Sequence, residues 1–439
     1  MYLNFVWHFH QPIYHQPDSQ DYILPWVNYH TTRNYWQMLK IIEDTEFPCT
    51  INLVPCLLEQ IIDYANGKAV DPVWISLMKP SRELTQEDLS RLKRFFPQYH
   101  SINSASELQR LVLDSFFSPL VRPQEKKPED LLELREKIFS GISNYFRDLK
   151  TKGLLELTTS PYFHPILPLL IDLSLANSEV PELPEFTYPE DAFWHLSHGR
   201  QYFQDKLGFL PKGLWPSEGA LSQQTCELIA RAGFKFTLTD EHLLWKSLDH
   251  RPDPQLLFQP YECAGVKILF RDRELSDLIS FEYHRWPAEQ AVADFMRKLE
   301  KRTQASGEEA LCSIILDGEN PWGVYNNNGV DFLRLLFERI KATQNLQPIL
   351  PQTYLENHQS AASLMLIPGT WMSSFFKWVG HPDKVKSWKR LSGVRQKHPF
   401  STYLAVAEGS DWFWWSGESE EIEFELLFSN YLEKATKIG

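Results

Sequence analysis

Four short apolar runs in this chain end in residues able to do chemistry, and they constrain the fold more than any other feature. "GLLELTTSPYFHP" (153–165) runs out into Thr, Tyr and His, "KGLWPSE" (212–218) ends in Glu218, "FKFTLTD" (234–240) ends in Asp240, and "LCSIILDGEN" (311–320) ends in Asp317, Glu319 and Asn320. Between the second and third runs, Leu221 to Ala232 carries apolar residues at roughly helical spacing, and Gly233 is a natural helix stop. Strand, helix and strand in short succession indicate βα units around a parallel sheet. In such folds chemistry gathers at the carboxyl ends of the strands, so a barrel with its site on that face is expected.

Residues 2–9 read as a first buried strand that His10-Gln11-Pro12 breaks, and 31–44 and 54–66 read as helices. From about 71 to 130 the chain is charged and helix-prone, which predicts an insertion over one rim of the barrel. Beyond about 330 the pattern turns helical. The expected organisation is a catalytic barrel over 1–350 and a helical region over 351–439 packed on it.

Composition enters mainly by exclusion. A formal net charge of −13 argues against a general affinity for nucleic acid or anionic membranes. Five scattered cysteines with no CxxC pair indicate neither a zinc site nor a disulfide framework. No stretch is long and apolar enough to span a bilayer, and the N-terminal segment reads as a strand, so a cytoplasmic location is the expectation. Aromatics make up 14% of the residues, 15 of them Trp, and flat apolar rings suit the faces of sugars.

Two carboxyls on different strand ends can break a glycosidic bond, one attacking the anomeric carbon while the other protonates the leaving oxygen and then activates water. Glu218 and Asp317 fit, since both lie just past apolar runs and beside a Trp (Trp215, Trp322). The plainer alternative is that each caps the helix behind it. His8 and His10 stand two apart on a strand and share a side. They suit sugar hydroxyls or a metal, for which His164 or Asp240 would be a third ligand, or they are core histidines bonded to backbone.

"HFHQPIY" (8–14), "GLLELTTSPYFHPILPLL" (153–170), "GLWPSEGALS" (213–222), "LDGENPWGVY" (316–325) and "TWMSSFFKWVGHPDKVKSW" (370–388) resemble, in order, the five sequence regions of glycoside hydrolase family 57. Flanking segments, including "LFRDRELSDLISFEY" (269–283) and "AEGSDWFWW" (407–415), are similar too. The resemblance implies an α/β fold, an incomplete seven-stranded (β/α) barrel followed by a helical region, and a retaining enzyme acting on α-glucans without cofactor or metal. Glu218 matches the nucleophile and Asp317 the general acid/base, while His10, Glu156 and Trp215 match positions lining the sugar site. His8, Asp240, Arg271, Trp371 and Trp378 complete the expected substrate-contacting set. An α-glucan is then the expected partner, with no nucleic acid and no membrane.

For the nucleophile, the helix after Glu218 is expected to lower its pKa through the N-terminal dipole, while closeness to Glu218 would keep Asp317 protonated. Arg273, Ser280, Gly323, Val385 and Asn28 depart from the family pattern and bear on the sugar subsites, Arg273 either reshaping one or pairing with Asp277. Hydrolysis is favoured over glycosyl transfer. A metal-dependent deacetylase on a related barrel and a glucan-binding chain without turnover are the other readings.

Overall fold

A computed structural model describes residues 1–117, 119, 127–358, 362–418 and 422–438. Its centre is a ring of seven parallel strands: β1 (Tyr2–Phe9), β2 (Cys49–Leu53), β3 (Leu155–Thr159), β4 (Gly213–Leu214), β5 (Phe236–Asp240), β7 (Val266–Arg271) and β8 (Leu311–Asp317). They pair in that order, and β8 returns to β1 to close a barrel one strand short of eight. A short β6 (Tyr261–Cys263) runs antiparallel to β7, and β9 (Gln347–Pro348) adds two residues beside the start of β1.

Alternation along each strand divides inside from outside. On β1, Leu3, Phe5, Trp7 and Phe9 join the large core between barrel and helices, while Val6 joins the cluster inside the barrel. On β8, Cys312, Ile314 and Leu316 point outward and Leu311 and Ile315 inward. Tyr354 and Leu355, on the helix Pro351–Asn357, enter this inner cluster, and Trp215 lies at its other end with Trp371 packed against it. The ring is therefore filled by side chains and presents a site only at its mouth. At β4 the fit is close: a Cβ on Gly213 would come within 2.2 Å of the Phe236 ring.

The charged stretch that follows β2 forms helices at Pro72–Met78, Gln86–Phe95 and Ala105–Phe117, and Pro128–Thr151 then leads back to β3. These helices share a second hydrophobic cluster built on Trp74, Leu92, Leu108 and Phe116. Asn28 belongs here: it donates to Asp71 (2.9 Å) and accepts from Arg135 (2.9 Å), which lies over the Trp74 ring at 4.7 Å. Its departure from the family pattern thus bears on how the insertion is anchored.

Beyond the barrel, helices at Pro382–Arg395, Thr402–Ala407, Ser410–Trp415 and Ile422–Ala435 pack together, with Trp388 stacked on Phe413 at 4.1 Å. Among the described residues, no helix is long and apolar enough to cross a membrane.

Candidate active site

The parity that sends Val6 and Ile315 inward also sends His8 and Asp317 inward, and the two are register partners at the carboxyl ends of β1 and β8. By the same rule Asp240 follows Leu238 on β5 and Arg271 follows Leu269 on β7. Four polar side chains thereby meet at one mouth of the barrel.

Glu218 reaches that mouth by a strained turn. It lies in a single 3-10 turn, Ser217–Gly219, with φ 59° and ψ 24°, a left-handed conformation that costs a non-glycine residue about 1 kcal/mol or more. The turn is tied to the chain from the other side of the cleft. Trp371 donates its backbone N–H to the Glu218 carbonyl (3.1 Å) and its indole N–H to Glu218 Oε2 (2.8 Å). Leu221 and Gly369 exchange both backbone hydrogen bonds beside it, and Trp371 packs edge-on against Trp215 at 5.5 Å.

The helix behind Glu218 does not lower its pKa. That helix, Gln223–Arg231, starts at Ser222, whose hydroxyl caps it by accepting Thr225 N–H (3.1 Å), so Glu218 stands a full turn short of the dipole. Instead its carboxyl is pushed up to about 8, first by burial and then by the negative charges of Asp317 and Asp411; the Trp371 N–H and Lys377 act in the other direction. Asp317 is also raised by burial, against Asn320, which donates to its Oδ2 (2.9 Å), and the charges of His10 and Arg271. Burial, and not the expected charge of Glu218, is what raises Asp317, while Glu218 itself holds a proton at neutral pH.

Three imidazoles form one wall. His8, His164 and His10 stack in that order, at 5.1 Å and 3.9 Å between ring centres. Asn52 Oδ1 accepts from Ser160 Oγ while its amide donates to Thr158, so His8 donates Nδ1–H to that same oxygen (2.7 Å) and keeps Nε2 as an acceptor. Burial holds His8 neutral, down to about 3, and His164 well below its ordinary value. His10 Nε2 pairs with Asp411 (2.9 Å), and His164 Nδ1 with Ser410 (3.0 Å). Neutral rings such as those of His8 and His164 suit hydroxyl groups.

A metal fits this wall poorly. Donor atoms of His10, His164 and Asp411 lie within 4.8 Å of one another, but the two rings are nearly parallel (23°). Imidazole lone pairs lie in the ring plane, so those of stacked rings run side by side and do not converge on one ion. Asp240, the other proposed ligand, is committed elsewhere.

Several expected sugar contacts take other roles. Asp240 is fully buried, accepts from Arg271 (3.0 Å) and caps the next helix through His242 N–H (2.9 Å). Arg271 also bonds Asp277 and the Ile315 carbonyl and lies over the Trp371 ring at 5.7 Å. The Asp240–Arg271 pair is thus engaged within the protein, where Arg271 packs on Trp371 and its charge acts on Asp317. Glu156 is at the opposite end of the barrel, accepting Gln352 N–H (3.0 Å) from the helix that closes the bottom. Trp378 is fully buried in the C-terminal core against Trp414. Trp215 is buried beneath Trp371 and His8, and supports the floor. Arg273 forms ion pairs with Asp277 (3.4 Å) and Asp240 (3.8 Å), and Ser280 bonds back to the Ser276 carbonyl.

Asp411 and Lys377 were not singled out from the sequence, yet both act on Glu218 by charge. Asp411 had a signal, an acid set among aromatics in "AEGSDWFWW". Lys377 had none beyond lying in the fifth region.

Trp371→Phe keeps a ring over Trp215 and removes only the N–H to Glu218. A hydrogen bond to a charged group contributes about 1.5–3 kcal/mol, so kcat is expected to fall roughly ten- to a hundredfold. Because the bond lowers the Glu218 pKa, its loss moves the alkaline limb of the pH–rate profile, where the carboxyl pair loses its last proton, to higher pH, which a kcat/KM profile reads directly.

The family model for glycosyl hydrolase family 57 matches residues 4–366. Among solved structures, an α-amylase from Thermotoga maritima superposes with a TM-score of 0.65 at 15% identity, over 99% of this chain and 92% of that one. A branching enzyme from Thermococcus kodakaraensis gives 0.65 at 16%, over 99% and 88%. A 4-α-glucanotransferase from Thermococcus litoralis gives 0.61 at 17%, over all of this chain and 60% of that one. With the family match running from β1 past β9, and the shared fold over nearly the whole chain, this protein belongs to glycosyl hydrolase family 57.

Proposed function

We propose that this chain is a retaining glycosidase acting on α-1,4-linked glucans, with Glu218 as nucleophile and Asp317 as general acid/base. The observation that carries the reading is that these two carboxyls stand at one mouth of a closed barrel, close enough for the charge of one to move the pKa of the other. Glu218 attacks the anomeric carbon, and the bond to the leaving sugar breaks as Asp317 gives that oxygen its proton. The Asp317 carboxylate then takes a proton from water as the water attacks the glycosyl ester, freeing Glu218. The neutral His8 and His164 supply acceptors and donors for sugar hydroxyls. The α-glucan substrate is supported by the α-amylase, branching enzyme and glucanotransferase that share this fold.

One observation favours transfer to a second sugar. Phe281, Val324, Met372 and Phe376 are each 46–62% exposed on the segments that follow β7 and β8 and flank Trp371. Tyr325 OH to the Ile279 carbonyl (2.6 Å) holds the Phe281 and Val324 turns together. Such apolar faces hold an acceptor ring and exclude water.

The test is to incubate the protein with maltoheptaose in chelator and follow product length and anomeric configuration by NMR. Shorter chains released in the α configuration are the expected result. Chains longer than seven units would establish transfer, β products would overturn retention, and activity that chelator abolishes would overturn metal-free chemistry.

A further inference from the structure

Behind the histidine wall lies a second cavity of about 580 Å³, lined by Ile13, Glu59, Phe163, Thr402, Tyr403 and Tyr431 among others. That volume is in the range of about 300–1,000 Å³ typical of small-molecule sites. It is distinct from the catalytic cleft but shares a wall with it. Phe163 precedes His164, which is held at φ 58° in the imidazole stack, and Ile13 lies three residues past His10.

The charges around the cavity are spent internally. Asp18, on its rim, pairs with Lys434 and accepts the Tyr403 hydroxyl. Burial holds His15 below its ordinary value, toward the neutral form. Glu59 accepts the Tyr162 hydroxyl (3.1 Å), and burial pushes its carboxyl up to about 7. Lys434 beside the rim is already tied to Asp18, and among the described residues no cluster of three metal-ligating groups lies at the cavity. What the cavity offers is ring faces, from Phe163 and from Tyr403 and Tyr431 (6.4 Å apart), beside hydroxyl and carboxyl groups.

We propose that this cavity is a second, non-catalytic carbohydrate site that takes one or two neutral sugar rings, their apolar faces on Tyr403 and Phe163 and their hydroxyls on Glu59 and Thr402. The choice of sugar among neutral polyols rests on the glucan reading above. Because Phe163 donates its N–H to His195 (3.3 Å) and adjoins His164, a ring seated there presses on the segment that builds the catalytic wall.

The test uses the full chain carrying Glu218→Gln, which binds without turnover, titrated calorimetrically with maltose. Two classes of site are expected. Adding Thr402→Trp, which fills the cavity from its exposed rim, should remove one class or weaken it tenfold or more and leave the other unchanged. Tyr403→Ala should give the same selective loss if the larger side chain disturbs folding. If binding isotherms are the same with and without both substitutions, the cavity is not a sugar site. Should the glucan reading of the cleft fail instead, the cleft class is missing while the remaining class still responds to Thr402→Trp, so the two failures are separable.

Discussion

Glu218→Ala is expected to lose turnover of an α-1,4-glucan by on the order of 10⁴-fold or more, and azide should restore cleavage of an activated aryl α-glucoside with β-glucosyl azide as product. Removing the side chain leaves room for a small anion on the face of the sugar that Glu218 attacks, and one displacement there inverts the anomeric centre. In Asp317→Ala the glycosyl ester still forms from such a substrate, and azide attacks it from the other face, giving the α-azide. Exchanged products would exchange the two roles. The question is a physical one for this chain, because burial and the charges of Asp317 and Asp411 push Glu218 up to about 8 and leave the pair's proton on it in the empty cleft. Substrate has to move that proton to Asp317. The positive charge growing at the anomeric carbon favours an ionised Glu218, and the Trp371 N–H already holds the oxygen in place.

Asp317→Asn should slow cleavage of an unactivated glucan by about 10²–10⁴-fold, the usual worth of a positioned acid. The first step with an aryl glucoside of an acidic phenol should fall far less, since that leaving group needs no proton. The same substitution removes a negative charge that raises Glu218. A nucleophile works ionised, so in this variant the rate rises as pH passes the Glu218 pKa, and with Asp317 neutral that rise should come below about pH 8, in steady-state profiles on the aryl substrate. A rise centred at about pH 8 would mean the carboxyls do not feel each other. In the wild type one proton must stay on the pair, so kcat/KM should fall above about pH 8, as that proton is lost, and also in acid, at a pH above the ordinary aspartate range because burial raises Asp317.

The residues legible in the sequence were those whose position follows from a short-range rule. Period-two alternation sends His8 and Asp317 inward from the same strand ends that the apolar runs announce, and Trp371 lies in a segment recognisable by family pattern. Glu156 was expected at the sugar site by its family motif, but it stands near the start of its strand, at the bottom of the barrel, where it binds a helix N-terminus. Asp240 and Arg271 stand at the right end, and only the tertiary structure shows that they pair with each other there. Trp378 lies in the same family-like segment as Trp371, and only the fold shows that it is buried in the C-terminal core.

What the sequence alone determined was the alternation of apolar runs and helices, the strand ends that carry Glu218 and Asp317, and the family to which the five regions belong, because these are properties of chain segments read locally. Closure of the ring, the approach of Trp371 to Glu218 across 153 positions, and the pairing of His10 with Asp411 across 401 were decided by the tertiary structure. So was the direction of the Glu218 shift, since desolvation and the charge of a distant carboxyl depend on what the fold brings near, and no local pattern of residues encodes them.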